Sequence, residues 1–338
     1  MNSIGRIFRI SIFGESHGES VGINIDGCPA GLLLSVDDFL TDIERRKGGS
    51  QKGTTPRKED DLPIFKSGIF NNKTTGAPIV ILFENKNTRS GDYEKQRAVP
   101  RPGHADLVAS QKFGGFEDFR GGGHFSGRLT VALVAAGVVA KKLLAHTQRA
   151  AGIKVSASIL EIGGESDLEK GLQKAIDAKD SIGGIVECRV QGLPAGLGEP
   201  FFDSAESLIS HAVFAIPAVR GIEFGTGFEA AKMFGSAHND AIENRDGKTL
   251  TNHAGGVVGG ITNGNELVFR IAIKPTSSTP KEQQTLNRET GAIEPFSVKG
   301  RHDLCIALRV PVVLEAVTAI TLADMLLLEQ FLPRVIGR

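Results

Sequence analysis

The chain has 338 residues, 40% of them hydrophobic and 23% charged, which is enough to bury a sizeable core and ordinary for a globular protein. Its 39 basic and 39 acidic side chains cancel, removing any bulk attraction for nucleic acid or a membrane surface. The three cysteines, Cys28, Cys188 and Cys305, are odd in number and lack metal-ligand spacing, so neither a disulfide framework nor a zinc site is expected, and a reducing cytoplasm is.

In chain order, the opening "MNSIGRIFRISIFGES" has no apolar signal-peptide core. "RIFRISIF" and "VGINIDG" alternate like strands, on either side of a polar turn carrying His17. A helix is predicted next, capped by Ser35 with Asp38 three residues on and with Val36, Phe39, Leu40 and Ile43 as its apolar stripe. Arg45, Arg46, Lys47 and two glycines suit its C-terminus. "APIVILFEN" reads as a buried strand, and residues 89–123 as a long, irregular functional loop. The run Leu129–Ala140, too short to span a bilayer, reads as a buried helix continuing to His146.

The second half repeats this style. "IKVSASILEIG" and "GGIVECRVQG" are predicted strands around a helix near Leu168–Ala178, and an amphipathic helix starts near Asp203 with Leu208, Ile209, Ala212 and Val213 inward. "ELVFRIAIKPTSS" and "RHDLCIALRV" read as strands, and an apolar helix closes the chain from about Val312 to Phe331. Neighbouring strands joined by short turns argue for antiparallel sheets with buried helices, an α+β class. We expect one domain over 1–338, built of two related halves that meet near residue 150. Neither a dinucleotide fingerprint after the first strand nor a P-loop occurs.

Four glycine-rich polar segments carry the candidate chemistry: the His17 turn, "RPGHAD" (101–106), "FRGGGHFSGR" (119–128), and "KPTSS" (274–278) with "GRHD" (300–303). Small residues expose backbone N–H groups beside Arg, Lys and hydroxyl donors, as an anion such as phosphate needs. Ser126 falls near the start of the apolar helix, where the dipole adds to that attraction. A histidine in a loop is more often a surface or structural residue than a functional one, but three in separate glycine-rich loops are less easily set aside. The basic residues from Arg45 to Lys58 also allow an RNA-binding patch, although aromatics for base stacking are missing.

"FGESHG", "RPGHAD", the "RGGG" stretch with its following Ser-Gly-Arg, "NHAGG", "KPTSS" and "GRHD", in this order over the whole chain, resemble the chorismate synthase family. The resemblance implies a β-α-β sandwich with helices between two antiparallel sheets, assembled as a homotetramer. It implies loss of phosphate and a C6 hydrogen from 5-enolpyruvylshikimate-3-phosphate, with reduced FMN required although the reaction is redox-neutral. Carried over by position, His17 would protonate the departing phosphate beside Ser16, His104 would sit near the reduced flavin, and Asp303 would assist proton removal. Arg46, Lys52, Arg101 and Arg128 would hold substrate anions, the Arg46 and Lys52 region being where the family sometimes takes NADPH. Flavin would be cradled by His124, Phe125, Ser126, Pro217, Ala218, Gly259, Lys274, Pro275, Thr276, Ser277 and Ser278, and Arg301 would serve flavin and substrate anions. The chain departs from the family's usual pattern at Lys47, Gly48, Lys52, His124, Phe125, Leu129 and Leu304. The changes at His124, Phe125 and Leu129 motivate a second reading, a non-catalytic binder of flavin or phosphate ligands. The family reading implies no nucleic-acid or membrane partner, a cytoplasmic enzyme, and an external flavin reductase, with NADPH as candidate reductant.

Overall fold

The structure is a computed structural model and describes residues 2–49, 52–55, 59–87, 97–147, 152–298 and 302–337. Two antiparallel sheets enclose two long apolar helices. The first sheet holds β1 (Ser3–Ile4), β2 (Arg9–Gly14), β3 (Ser20–Asp26), β4 (Ile64–Ser67) and β5 (Ile79–Glu84) in the order β1-β2-β3-β5-β4. Ile23 of β3 pairs with Ile12 on one side and Ile81 on the other, so one face of the sheet is a continuous aliphatic surface. The second sheet holds β6 (Lys154–Ile162), β7 (Gly184–Gln191), β8 (Val219–Phe224) and β9 (Leu267–Ile273) in the order β8-β9-β7-β6. In β9, Leu267, Phe269, Ile271 and Ile273 are buried and alternate with half-buried residues, the period-2 pattern of a strand with one covered face.

Among the described residues, six helices of eight residues or more accompany the sheets: α1 (Asp37–Arg46), α2 (Asp106–Phe113), α3 (Thr130–Ala145), α4 (Leu168–Ala178), α5 (Ala205–Val213) and α6 (Val310–Leu328). Helices α3 and α6 are apolar nearly all round because they lie between the sheets, where no face meets water. Over Ile306–Leu328 the chain is long and apolar enough to cross a membrane, yet most of that stretch is buried inside the protein. Gly137 of α3 packs against α6 so closely that a Cβ there would lie 2.5 Å from Ala316 Cα. Gly137→Ala is therefore expected to destabilise the fold by about 1–3 kcal/mol, the usual cost of overpacking. Urea unfolding reads this directly, and an unchanged midpoint would mean the helices part without cost.

Local chemistry sets the element ends. Asp167 caps α4 by accepting the Glu169 and Lys170 amides, and Ser204 caps α5 by accepting the Ser207 amide. At α1 only half of the predicted capping box forms: Asp38 accepts the Ser35 amide at 2.8 Å, but no side chain caps the helix start. Its buried stripe is Phe39, Ile43 and Arg46, whereas Val36 and Leu40 are exposed. Two further expectations are corrected, and one strand goes unpredicted. Residues 302–305 form no strand and Ile306–Arg309 form a 3-10 helix, because Pro311 stands in the first turn of α6 and the alternation of Leu304, Ile306 and Leu308 leads into a helix. The irregular 89–123 region contains α2, of which only Ala109 is buried. Strand β8, at an edge of the second sheet, had no signal strong enough to be read.

An ion network around the buried Glu315 fixes α1 against the central helices. Glu315 of α6 accepts from Arg45 Nη2 and Lys141 Nζ, each at 2.7 Å, and from the Ala157 amide of β6 at 3.0 Å; Lys141 also reaches Asp42 at 2.7 Å. Burial opposes the Glu315 charge, but Arg45 and Lys141 hold its carboxyl below the ordinary range. With Arg45 so committed, the neighbouring Arg46 turns inward.

Candidate active site

The N-terminal ends of α3 and α6 both open onto one cavity of about 750 Å³. Its lining is part cationic and part apolar. Arg46, Lys47, Arg101, Arg128, Lys274 and Arg309 line it against Glu59, Asp61 and Asp303, an excess of three positive charges in a chain with no net charge. The apolar arm is lined by Leu133 of α3, by Val313, Val317 and Ile320 of α6, and by Ile10 and Ile12 of β2.

Three separate stretches of chain converge at one wall. The turn between β2 and β3 is held by Asn85, whose amide nitrogen donates to the carbonyls of Glu15 at 3.0 Å and Gly18 at 2.9 Å. His17, at its tip, is only 8% exposed. Gly121, Gly122 and Gly123 all have positive φ, and the Ser16 amide donates to Gly123 O at 3.1 Å. A Cβ at Gly121 would lie 2.5 Å from His17 Nε2, and one at Gly122 would lie 3.4 Å from His104 Cε1. The glycine triplet thus passes between two imidazoles, with no room for a side chain at Gly121 or Gly123.

The 101–106 segment is a closed ring of charge-assisted bonds. Asp106 accepts from Arg101 Nε and Nη2 at 2.7 Å each and from His104 Nδ1 at 2.6 Å. Burial works against the Asp106 charge, but Arg101 and His104 hold its carboxyl far below the usual carboxylate range. With its proton on Nδ1, directed at that carboxylate, His104 keeps Nε2 for a ligand. Arg101 also donates to Ser278 Oγ at 3.1 Å, while Ser277 Oγ accepts from Lys274 Nζ at 2.7 Å and donates to Gly103 O at 2.6 Å. Those bonds clasp the 274–278 stretch onto the 101–106 stretch. Burial and Arg220 push the Lys274 ammonium below its ordinary pKa.

On the opposite side a single carboxylate, Asp61, bridges two guanidiniums. Arg46 Nη2 donates to Oδ2 at 2.8 Å and Arg128 Nη1 to Oδ1. Burial opposes the Asp61 charge, yet the two arginines hold its carboxyl below the ordinary range. Burial, then Arg309, push Arg46 down to about 10 against the pull of Asp61. Asp303 sits nearby, accepting the Thr55 amide at 2.8 Å on one oxygen and Arg309 Nη1 at 3.0 Å on the other.

Most residues singled out from sequence share this cavity. His17, His104 and Asp303 line it, as do Arg46, Arg101 and Arg128. His124, Phe125, Ser126, Pro217 and Ala218 line it too, with Lys274, Thr276, Ser277 and Ser278. Ser16 is fully buried and is not among the lining residues. Lys52 does not reach the cavity: it is exposed and donates to Gln173 Oε1 at 3.2 Å. Pro275 and Gly259 are exposed and also stand outside it. Arg301 lies outside the described residues, as do Arg57 and Lys58 of the basic patch. Arg46 is buried and Arg45 committed to Glu315, which removes the core of an RNA-binding face. His124 faces Gly14 O at 2.9 Å and Asn2 Oδ1 at 3.1 Å, and Phe125 tilts against Phe113.

Sequence reasoning missed Asp61, Thr55, Asp106, His302 and Arg309. Asp106 and His302 lay within motifs already singled out, one as the acid that closes "RPGHAD", the other as the third residue of "GRHD". Burial and Arg101 push the His302 imidazole below its ordinary pKa, although the Val298 carbonyl and Asp303 act the other way. Asp61, Thr55 and Arg309 carried no local signal.

A cationic, glycine-cradled cavity at two helix starts, with histidines held by buried partners and an apolar arm, defines an enzyme for a small polyanion rather than a macromolecular binder. The chorismate synthase family model matches residues 8–327. A chorismate synthase of Chitinophaga pinensis is 71% identical over 330 residues, covering 98% of both chains. One of Dehalococcoides mccartyi is 44% identical over 364 residues, with 99% of both chains covered. A crystal structure of chorismate synthase superposes with a TM-score of 0.73 at 26% identity, covering 96% of this chain and 93% of the other. The chain belongs to the chorismate synthase family, carbon–oxygen lyases of the shikimate pathway that require a reduced flavin. These findings give no support to the non-catalytic alternative.

Proposed function

We propose that the flavin is FMN in its reduced form and that the cavity residues divide the elimination of 5-enolpyruvylshikimate-3-phosphate between them. The observation that carries this reading is the convergence of His17, His104 and Asp303 with three arginines in one cavity. The site suits a flat ring system with a polar edge. Arg46 Nε, Thr276 Oγ1 and His302 Nε2 belong to lining residues, and each is enclosed without a hydrogen-bond partner, while the arm is aliphatic. Bound reduced, the flavin would supply the electron density that phosphate departure needs and recover it, leaving the reaction redox-neutral.

The protein's own groups supply the rest. His17 delivers a proton to the departing phosphate, whose charge Arg46, Arg101 and Arg128 meet as it develops. Phosphate leaves with the electron pair of its C–O bond, the C6 hydrogen leaves as a proton that Asp303 assists in removing, and a second ring double bond forms. His104, held by Asp106, faces the flavin with Nε2, and Ser16 supports the His17 turn from behind. His124, Phe125, Ser126, Pro217, Ala218 and the residues 274–278 other than Pro275 are proposed to hold the flavin, with Arg301 at its phosphate or at substrate anions. Lys52, Pro275 and Gly259 are left out, since they do not reach the cavity.

The chain is proposed to act as one domain, because one core cluster runs from Phe8 to Leu332. Phe201, Phe202, Phe228 and Phe234 are each at least 79% exposed, which supports self-association into a homotetramer. Three buried, free cysteines suit the cytoplasm. The reductant is proposed to be an external, NADPH-fed reductase. Chorismate is expected under anaerobic conditions with photoreduced FMN and not with oxidised FMN; turnover indifferent to flavin redox state would overturn the reading. Oxidised FMN with NADPH should stay inactive until a flavin reductase is added.

A further inference from the structure

Arg309 occupies the entry to α6, where the helix dipole disfavours a cation. Nothing about helix formation calls for it there. Its guanidinium is instead divided between two parts of the site. Nη1 donates to Asp303 Oδ2 at 3.0 Å, and Nε donates to the main-chain carbonyl of Arg46 at 2.8 Å. The other Asp303 oxygen holds the Thr55 amide at 2.8 Å, so the carboxylate is fixed at both ends. Arg46 in turn is the last residue of α1, with Nη2 of its guanidinium bonded to Asp61 and Nε left without a partner. One planar group therefore couples the carboxylate after "GRH" to the helix end that presents an anion-binding arginine.

We propose that Arg309 is a positioning residue of the lyase reaction, holding the Asp303 carboxylate and the Arg46 end of α1 as one rigid unit against the cavity. The inference rests on the lyase reading above. Lysine is a poor substitute, because a single ammonium lacks the planar fork that serves two acceptors at fixed angles. Loss of the guanidinium frees the carboxylate and the helix end together, and a displacement of about 1 Å at reacting groups costs about 100-fold in rate.

The test is a double-mutant cycle with R309M, R309K, D303N and R309M/D303N, read as kcat and KM for anaerobic chorismate formation with reduced FMN. Reduced-FMN affinity and melting temperature are measured on the same proteins. R309M is expected to lose about 100-fold in kcat with KM and flavin affinity changed by less than about threefold, and R309K to recover about tenfold. The double variant should lose clearly less than the product of the two single losses, since Arg309 acts in large part through Asp303. Additive losses, R309K no better than R309M, or a loss that follows only the fall in melting temperature would overturn the positioning role. Should R309M not fold, R309K with D303N closes the same cycle. No chorismate from the unmodified chain would overturn the lyase reading and this role with it, whereas an active chain with additive losses would overturn this role alone.

Discussion

Asp61→Asn is expected to cost the fold about 3–5 kcal/mol, the penalty for removing one partner from a buried ion cluster. The Asp61 side chain is fully enclosed, and the two guanidiniums it bridges are almost as deeply buried. Neutralising it leaves Arg46 and Arg128 facing each other, with Arg309 adding a third positive charge to the same neighbourhood. Asparagine keeps nearly the same shape and offers one acceptor oxygen, so the loss isolates charge rather than volume. It also isolates charge from backbone strain. Asp61 has a φ of 52°, a left-handed conformation that asparagine tolerates as well as aspartate. Asp61→Gly separates the two effects from the other direction, relieving the backbone while losing the carboxylate. Urea unfolding at neutral pH should show both variants strongly destabilised; a change under about 1 kcal/mol in Asp61→Asn would mean that solvent or a neighbouring group already balances the arginines.

That carboxylate also marks where reading the sequence stopped. Asp61 lies in "KEDDLP", a stretch that looks like a solvated charge run, and its partners stand 15 and 67 residues away. Only tertiary folding reveals it. Arg45 and Arg46 make the same point. They are adjacent and identical, yet helical geometry sends one to Glu315 and the other into the cavity. The motifs were legible for the opposite reason: hydroxyls, imidazoles and guanidiniums among glycines cannot form a core, so "RPGHAD" and "KPTSS" announce a site locally. The central helices were legible because α3 and α6 are apolar around their whole circumference. Helix α2 was not, since a surface helix burying little more than Ala109 leaves no periodic stripe. The misread 301–310 stretch shows a genuine alternation serving another end, the placement of Asp303 and Arg309 at the start of α6.

Replacing His17 by Ala is expected to lower kcat for chorismate formation by about two to four orders of magnitude, the range for loss of one proton-transfer group. The turn should survive the change, because its backbone is held by bonds to Asn85 and Gly123. Melting temperature and reduced-FMN affinity are therefore expected to stay close to the parent's. A second variant removes the ambiguity of a simple cavity. Gly121→Ala leaves the imidazole in place but would put a methyl within 2.5 Å of its Nε2, forcing the ring away from the position proposed for proton delivery. It should reproduce much of the kcat loss with His17 still present, although the positive φ of 61° at Gly121 adds strain of its own and a lower melting temperature. His17→Gln keeps hydrogen-bonding capacity without a titratable proton, and should resemble Ala in kcat while holding KM near the parent value. If His17→Ala and His17→Gln both turn over at the parent rate, the proton reaches phosphate by another route and His17 is only a spacer against the glycine triplet. A loss confined to KM would instead make it a binding group, with the proton coming from solvent.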